Sequence, residues 1–189
     1  MHPLCSGLSA FALILLLSAC GNDGQPPAAS SAASPTTQAA NASVARDLPL
    51  ADQQDFEDAS RGLIASQQPL QVTSADGRTL WNMQDYAFIE GEAPDSVNPS
   101  LWRQAKLNNI NGLFEVTKGI YQLRGFDLSN ISLIQGKTGW ILVDPLTTAP
   151  TARNALAFAR EKLGPQKISA IIFTHSHIDH FGGIDGVLG

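Results

Sequence analysis

The sequence predicts a mixed α/β fold, and three observations support this prediction. From residue 113 onward, apolar and polar residues alternate with the period of two that is typical of β-strands. Residues 148–163 instead place their apolar side chains on one face of a helix. A further apolar run, residues 168–173, follows that helix, so strand, helix and strand form a βαβ unit with parallel strands and a right-handed crossover.

The composition is that of a globular protein and gives no sign of nucleic-acid binding. Of the residues, 43% are hydrophobic and 15% are charged. The length of 189 residues fits one domain. Lys and Arg number 12 against 17 Asp and Glu, for a net charge of −5, and no block of basic residues occurs. Tight binding to phosphate backbones is therefore not expected.

The N-terminus predicts a secretory leader, residues 1–19, followed by a tether. Residues 8–17 form an apolar core that is too short to span a bilayer. The next residues, Leu-Ser-Ala-Cys, resemble a bacterial lipobox, which implies cleavage before Cys20 and a lipid anchor on its thiol, facing the periplasm from the inner or outer membrane. The alternative is a plain cleaved leader with an incidental Cys20. Residues 20–48 are rich in Ala, Ser, Pro and Thr and are predicted to be disordered.

Residues 49–112 are predicted to form a small extension of helices and a hairpin. Apolar residues near helical spacing predict a helix over residues 55–68. A hairpin is expected over residues 70–81, with Asp76-Gly77 in the turn. Asn98 is expected to cap a second helix with Pro99 in its first position.

Residues 113–189 are predicted to form the main domain. Strands at 114–116 and 120–123 flank Lys118-Gly119, and strands at 131–135 and 140–143 flank the turn at 136–139. Thr148 is expected to cap the next helix, which ends at Gly164-Pro165. Residues 168–173 have the length and branching of a buried strand.

Residues 174–183, THSHIDHFGG, predict a metal site directly after that strand. His175 and His177 are two positions apart on an extended segment, so both side chains can reach one ion. Asp179 and His180 follow over the next bend, toward a second position about 3.5–4 Å away. Nitrogen and carboxylate ligands suit zinc. Chance clustering is the alternative, but the only other histidine is His2, in the predicted leader.

The βαβ unit brings Asp144 to the same edge of the sheet as the histidine cluster. Asp144 follows the strand at 140–143 and precedes Pro145. It could support a ligand imidazole through a hydrogen bond, or it could simply be a turn residue. The sequence leaves both interpretations open.

The segment 174–183 resembles the HxHxDH signature of the metallo-β-lactamase superfamily. The resemblance implies an αββα sandwich with one or two metal ions at the strand ends. It also implies that His175 and His177 bind the first zinc ion, and Asp179 and His180 the second. Lactamases, thioesterases, nucleases and sulfatases share this signature, so it does not identify the substrate.

Residues 97–152 and 170–183 resemble the zinc-dependent alkyl sulfatases more specifically. GIYQLRGFDLSN (119–130) and TGWILVDPLT (138–147) carry this resemblance. It implies hydrolysis of linear alkyl sulfate esters, such as dodecyl sulfate, to an alcohol and sulfate at a two-zinc site. Asp179 would also orient the attacking water. An envelope location would agree with the leader.

The resemblance further implies that family ligands, a dimerisation region and a C-terminal domain lie beyond residue 189. Residues 113–189 are therefore expected to be the N-terminal half of the sandwich, with little sulfatase activity alone and a homodimer only for the full-length protein. Two alternatives stay open: a hydrolase of the same superfamily that acts on a lactam or thioester, and a non-catalytic envelope lipoprotein remnant.

Overall fold

The computed structural model describes residues 32–189, so the predicted leader and Cys20 lie outside the described residues. The described part is a mixed α/β structure, as predicted. Its helices and strands are, in order: α1 Pro35–Asp47, α2 Gln54–Ser60, β1 Leu63–Ala65, β2 Gln71–Thr73, β3 Thr79–Asn82, a 3-10 turn Met83–Tyr86, α3 Pro99–Asn108, β4 Gly112–Thr117, β5 Ile120–Arg124, β6 Ile131–Gln135, β7 Trp140–Val143, α4 Ala149–Leu163, β8 Ile168–Ile172, a 3-10 turn Ile178–His180, and α5 Asp185–Leu188.

A six-stranded sheet, in the order β1-β4-β5-β6-β7-β8, forms the frame of the molecule. Neighbouring strands are antiparallel except β7 and β8, which are parallel and joined by α4. The predicted hairpins and the βαβ unit are therefore confirmed. Strands β2 and β3 form a separate antiparallel pair, the predicted hairpin of residues 70–81.

The core lies between the sheet and α4. Trp140 and Leu142 of β7 share one buried cluster with Ala155, Leu156 and other residues of the same α4 face. The predicted cap of α4 is present, because the Thr148 hydroxyl accepts a hydrogen bond from the Thr151 amide at 3.3 Å. This packing fixes α4 as the crossover and so aligns the ends of β7 and β8.

The caps of α3 also follow the prediction. The Asn98 side chain accepts from the Ser100 amide at 2.9 Å, and Pro99 occupies the first helical position. Trp102 on this helix is buried and packs near Phe88 with ring centroids 6.0 Å apart.

The disorder predicted for residues 20–48 is wrong over α1. Ser34 caps this helix by accepting from the Thr37 amide at 3.2 Å, and the Asn41 amide group donates to the Asp95 carbonyl at 2.8 Å. No residue of α1 is buried. The lack of apolar surface favours disorder, but the Ala-rich composition has a high intrinsic helix propensity.

The helix predicted over residues 55–68 is wrong beyond Ser60. Gly62 takes a positive φ of 76°, and its carbonyl accepts from the Glu115 amide at 2.8 Å. The following residues form β1, which pairs with β4. A Cβ on Gly62 would lie 2.2 Å from the Glu115 carbonyl oxygen, so this approach requires glycine. A contact distant in sequence therefore overrides the local helical spacing.

The burial predicted for residues 168–173 is also wrong. β8 pairs with β7 on one side and is the last strand of the sheet in the described part of the chain. Most of its side chains are consequently only partly covered, and Ile172 and Phe173 are each 48% exposed. Among residues 32–189, none of the helices combines the length and apolar character required to cross a membrane.

Candidate metal centre

The candidate site lies where β7 and β8 end at the same edge of the sheet. Their pairing continues one residue beyond β7, because the Asp144 amide donates to the Ile172 carbonyl at 3.0 Å. Polar residues then begin on both strands, with Asp144 after β7 and Thr174 two residues after β8. The histidine segment continues from Thr174 into the 3-10 turn Ile178–His180. This is the edge at which open α/β sheets usually carry their sites.

Asp144 joins the two strand ends through its carboxylate. It is 6% exposed and accepts from the Thr174 amide at 2.8 Å and from the Thr174 hydroxyl at 2.6 Å. Its Oδ2 also lies 2.7 Å from His180 Nδ1. Burial raises the pKa of the Asp144 carboxyl, but the hydrogen bonds from Thr174 and the contact with His180 outweigh burial, so the pKa falls below its ordinary value of 3.8. Asp144 is therefore an anion at neutral pH.

Thr174 orients the ring of His175. The single proton of the Thr174 hydroxyl is donated to Asp144, so the same oxygen accepts from His175 Nδ1, 2.9 Å away. The neutral His175 ring then keeps its lone pair on Nε2. That atom lies 3.1 Å from His177 Nδ1, and the two rings meet nearly at right angles. His175 Nε2 and His177 Nδ1 form the first donor pair.

Asp144 orients the ring of His180 in the same way. His180 Nδ1 faces the anionic Oδ2, which places the proton on Nδ1 and leaves the lone pair of the neutral ring on Nε2. His180 Nε2 lies 3.3 Å from Asp179 Oδ2, and these two atoms form the second donor pair. The ring centroids of His175 and His180 are 4.1 Å apart, so the two pairs are adjacent.

Gly182 and Gly183 allow the histidine segment to pack closely on the loop after β7. The Gly183 amide donates to the Leu146 carbonyl at 2.9 Å. A Cβ on Gly183 would lie 1.9 Å from the Pro145 carbonyl oxygen, and one on Gly182 would lie 2.3 Å from the Thr147 carbonyl oxygen. The backbone therefore passes close to this loop at both glycines, and α5 begins two residues later.

The donor types fit zinc, although the donors lie in pairs. Among residues 32–189, no three His, Cys, Asp or Glu side chains converge on one point. The 3.1 Å between His175 Nε2 and His177 Nδ1 is close to the separation of about 3.3 Å that zinc–nitrogen bonds of 2.0–2.1 Å give at tetrahedral angles. His175 with His177, and Asp179 with His180, could thus each supply two ligands to one ion.

The structure places all the described candidate residues in this one region. His175 and His177 are exposed, Asp179 and His180 are partly buried, and Asp144 is buried. The sequence-based reasoning missed Thr174, which contacts both Asp144 and His175. One signal for it was available in the sequence. Thr174 is a hydroxyl residue at the start of the polar segment, and the end of the neighbouring strand carries the carboxylate of Asp144.

Comparison with known proteins shows what these features are similar to. Residues 124–189 match the metallo-β-lactamase superfamily. An (R)-specific secondary-alkylsulfatase of Pseudomonas sp. is 49% identical over 157 residues, which are 82% of this chain and 24% of that protein. A linear primary-alkylsulfatase of Pseudomonas sp. is 45% identical over 169 residues, 87% of this chain and 25% of that protein. The solved structure of a stereoselective inverting sec-alkylsulfatase from Pseudomonas sp. has a TM-score of 0.79 at 49% identity, covering 85% of this chain and 25% of that one.

The HxHxDH site therefore lies within the residues that match the metallo-β-lactamase superfamily. Over most of its length the chain is similar to alkylsulfatases. The chain spans about a quarter of the length of the curated relatives it matches.

Proposed function

We propose that this protein takes part in the hydrolysis of linear alkyl sulfate esters, such as dodecyl sulfate, to an alcohol and inorganic sulfate. The observation that carries the proposal is the similarity to alkylsulfatases at 45–49% identity. The histidine segment lies within the residues that match the metallo-β-lactamase superfamily. Because the chain spans about a quarter of those relatives, the activity is proposed for the protein in its complete form.

The two donor pairs define the proposed roles of the site residues. His175 and His177 would hold one zinc ion, and Asp179 and His180 a second. Bound zinc would supply a Lewis acid for the sulfate oxygens and a bound water with a pKa of about 7. The Asp179 carboxylate would also accept a hydrogen bond from the attacking water and orient it toward sulfur.

The charge distribution at the site suits an anionic substrate. A sulfate ester is negatively charged and would be repelled by several exposed carboxylates. Here the anion of Asp144 is buried behind the site and is compensated by hydrogen bonds from Thr174 and His180. Asp179 is the one carboxylate in the donor pairs, and an imidazole that binds a metal ion adds no negative charge. Metal binding would therefore leave a net positive site for the sulfate group.

We further propose that Cys20 carries a lipid anchor that holds the protein in the bacterial cell envelope, facing the periplasm, and that the complete protein is a homodimer. The leader-like residues 1–19 support the anchor. Labelled palmitate should enter the wild-type protein and not a Cys20→Ser variant. Labelling of both proteins, or of neither, would contradict the anchor.

The test of function compares three substrates. The protein in its complete form, expressed from its own gene, would be assayed with dodecyl sulfate, nitrocefin and a glutathione thioester. Its zinc content would also be measured. We expect sulfate release from dodecyl sulfate. The double variant His175→Ala/His177→Ala should lose more than about 100-fold in rate. This loss exceeds the 10–100-fold that is typical when a residue hydrogen-bonded to a metal ligand is removed. Ser169→Ala, a hydroxyl loss on β8, is the control and should keep full activity.

The other outcomes separate the alternatives. Turnover of nitrocefin or the thioester without turnover of dodecyl sulfate would identify a different hydrolase of the same superfamily. Zinc binding without turnover of any substrate would identify a non-catalytic remnant.

A further inference from the structure

A loop outside the histidine segment holds the site from a second side. Residues 125–130 connect β5 to β6, and their side chains differ sharply in burial. Asp127 and Ser129 are each 7% exposed, whereas Leu128 between them is 75% exposed. Burying two polar side chains in a connecting loop is costly unless both are hydrogen-bonded. Both are bonded here, and their partners lie in the loop after β7, in α4 and in the histidine segment.

Asp127 anchors this loop to the start of α4. Its carboxylate accepts from the Leu128 amide at 2.7 Å, the Thr147 hydroxyl at 2.8 Å, the Thr147 amide at 3.2 Å and the Thr151 hydroxyl at 2.5 Å. Thr151 is in the first turn of α4, where the helix dipole also favours a negative charge. The backbone at residues 127–128 is thereby fixed relative to the core.

Ser129 extends from this anchored loop to the metal-binding segment. Its hydroxyl donates to the backbone carbonyl of Asp179. That carbonyl belongs to the peptide group joining Asp179 to His180, the two residues of the second donor pair. On its other side, the same segment packs against the loop after β7 through Gly182 and Gly183. The Asp179–His180 peptide is therefore held between two fixed parts of the fold.

We propose that Ser129, anchored through Asp127, is a positioning residue for the second metal-binding pair. It fixes the Asp179–His180 peptide plane, and so sets the direction in which Asp179 Oδ2 and His180 Nε2 face each other at 3.3 Å. This inference rests on the proposed metal site, because Ser129 acts through Asp179 and touches no substrate. Groups that orient ligands typically change metal affinity by about 10–100-fold when removed.

The test uses Ser129→Ala, with Ser129→Thr as the variant that keeps the hydroxyl and Ser169→Ala as a matched control on β8. Co²⁺ would be titrated into the metal-free chain while its visible spectrum is recorded, and Zn²⁺ affinity would be measured by competition with a chromophoric chelator. We expect Ser129→Ala to weaken the second equivalent of metal roughly 10-fold or more and to change only its part of the spectrum. Ser129→Thr and Ser169→Ala should match the wild type.

Amide hydrogen exchange in the metal-free chain provides a readout that does not depend on metal. Ser129→Ala should speed exchange at His180 and Gly182, whose amides bond to His177 and Ile178 within the segment, while exchange in α4 stays unchanged. Equal metal affinity and equal exchange in Ser129→Ala and wild type would overturn the positioning role of Ser129 and leave the proposed metal site standing. So would a uniform loss that includes the first equivalent and α4, because it would indicate a merely structural role. If the wild-type chain binds neither Co²⁺ nor Zn²⁺, both the proposed metal site and the inference about Ser129 are overturned.

Discussion

At the scale of single residues, the buried anion of Asp144 decides how the site is arranged. It lies 2.7 Å from His180 Nδ1 and, through the Thr174 hydroxyl, also determines which nitrogen of His175 carries the proton. One carboxylate therefore directs the lone pairs of two imidazoles outward. Asp144 adopts a φ of +57°, in the left-handed region that Asp and Asn enter more readily than other non-glycine residues.

We expect Asp144→Asn to weaken zinc binding while leaving the backbone unchanged. Asn has nearly the same shape and tolerates the same φ, so the substitution removes the charge that keeps the proton on His180 Nδ1. The zinc affinity should fall by roughly 10–100-fold in chelator competition. Asp76→Asn, in the exposed turn between β2 and β3, is the control and should bind zinc normally. Equal affinities for the two variants would show that the charge of Asp144 is not required.

The sequence predicted the donor residues better than the hydrogen bonds that orient them. The spacing of His175, His177, Asp179 and His180 identified the candidate ligands, and the βαβ unit brought Asp144 to the same edge of the sheet. Thr174 and Ser129 could not be assigned in this way. Their partners are set by which loops meet in three dimensions, and a single hydroxyl in a loop has no periodic pattern.

At the scale of elements, the N-terminal caps of α4 and α1 should differ in energetic value. Thr148 caps α4, which buries six residues, and Ser34 caps α1, which buries none. Thr148→Ala should lower the free energy of unfolding by about 0.5–2 kcal/mol in a urea titration, because α4 is part of the cooperative core. Ser34→Ala should change it by less than about 0.5 kcal/mol, since α1 can open separately. An equal loss in the two variants would mean that α1 is also part of the core.

Element type followed from local signals where these agreed with the tertiary contacts. Asn98, Pro99 and Thr148 marked the starts of α3 and α4, and those starts are observed. The signals failed where a distant partner decided the outcome. Residues 63–65 have helical spacing in the sequence, but they pair with β4, which begins 47 positions later at Gly112. β8 has the composition of a buried strand but lies at the edge of the described sheet.

At the scale of the whole molecule, the outer edge of β8 should promote self-association. In the described part of the chain this edge has no neighbouring strand, and Ile172 and Phe173 are each 48% exposed. Unpaired, apolar strand edges are templates for pairing with other chains. Ile172→Lys should reduce concentration-dependent association in sedimentation experiments, because a charged lysine on an edge strand disfavours pairing with another chain. Leu101→Lys, which changes a 63% exposed leucine on α3, should not. The same association in all three proteins would exclude this edge as the contact.

The contacts that complete the site join parts of the chain that are far apart. Asp144 and His180 are separated by 36 positions, and Ser129 and Asp179 by 50. A short peptide with the sequence THSHIDH would contain the ligands but neither Asp144 nor Ser129. Capturing a metal ion and closing these long chain loops are therefore thermodynamically linked, and each stabilises the other. In a cell, the fraction of this chain that is folded would rise and fall with the supply of free zinc.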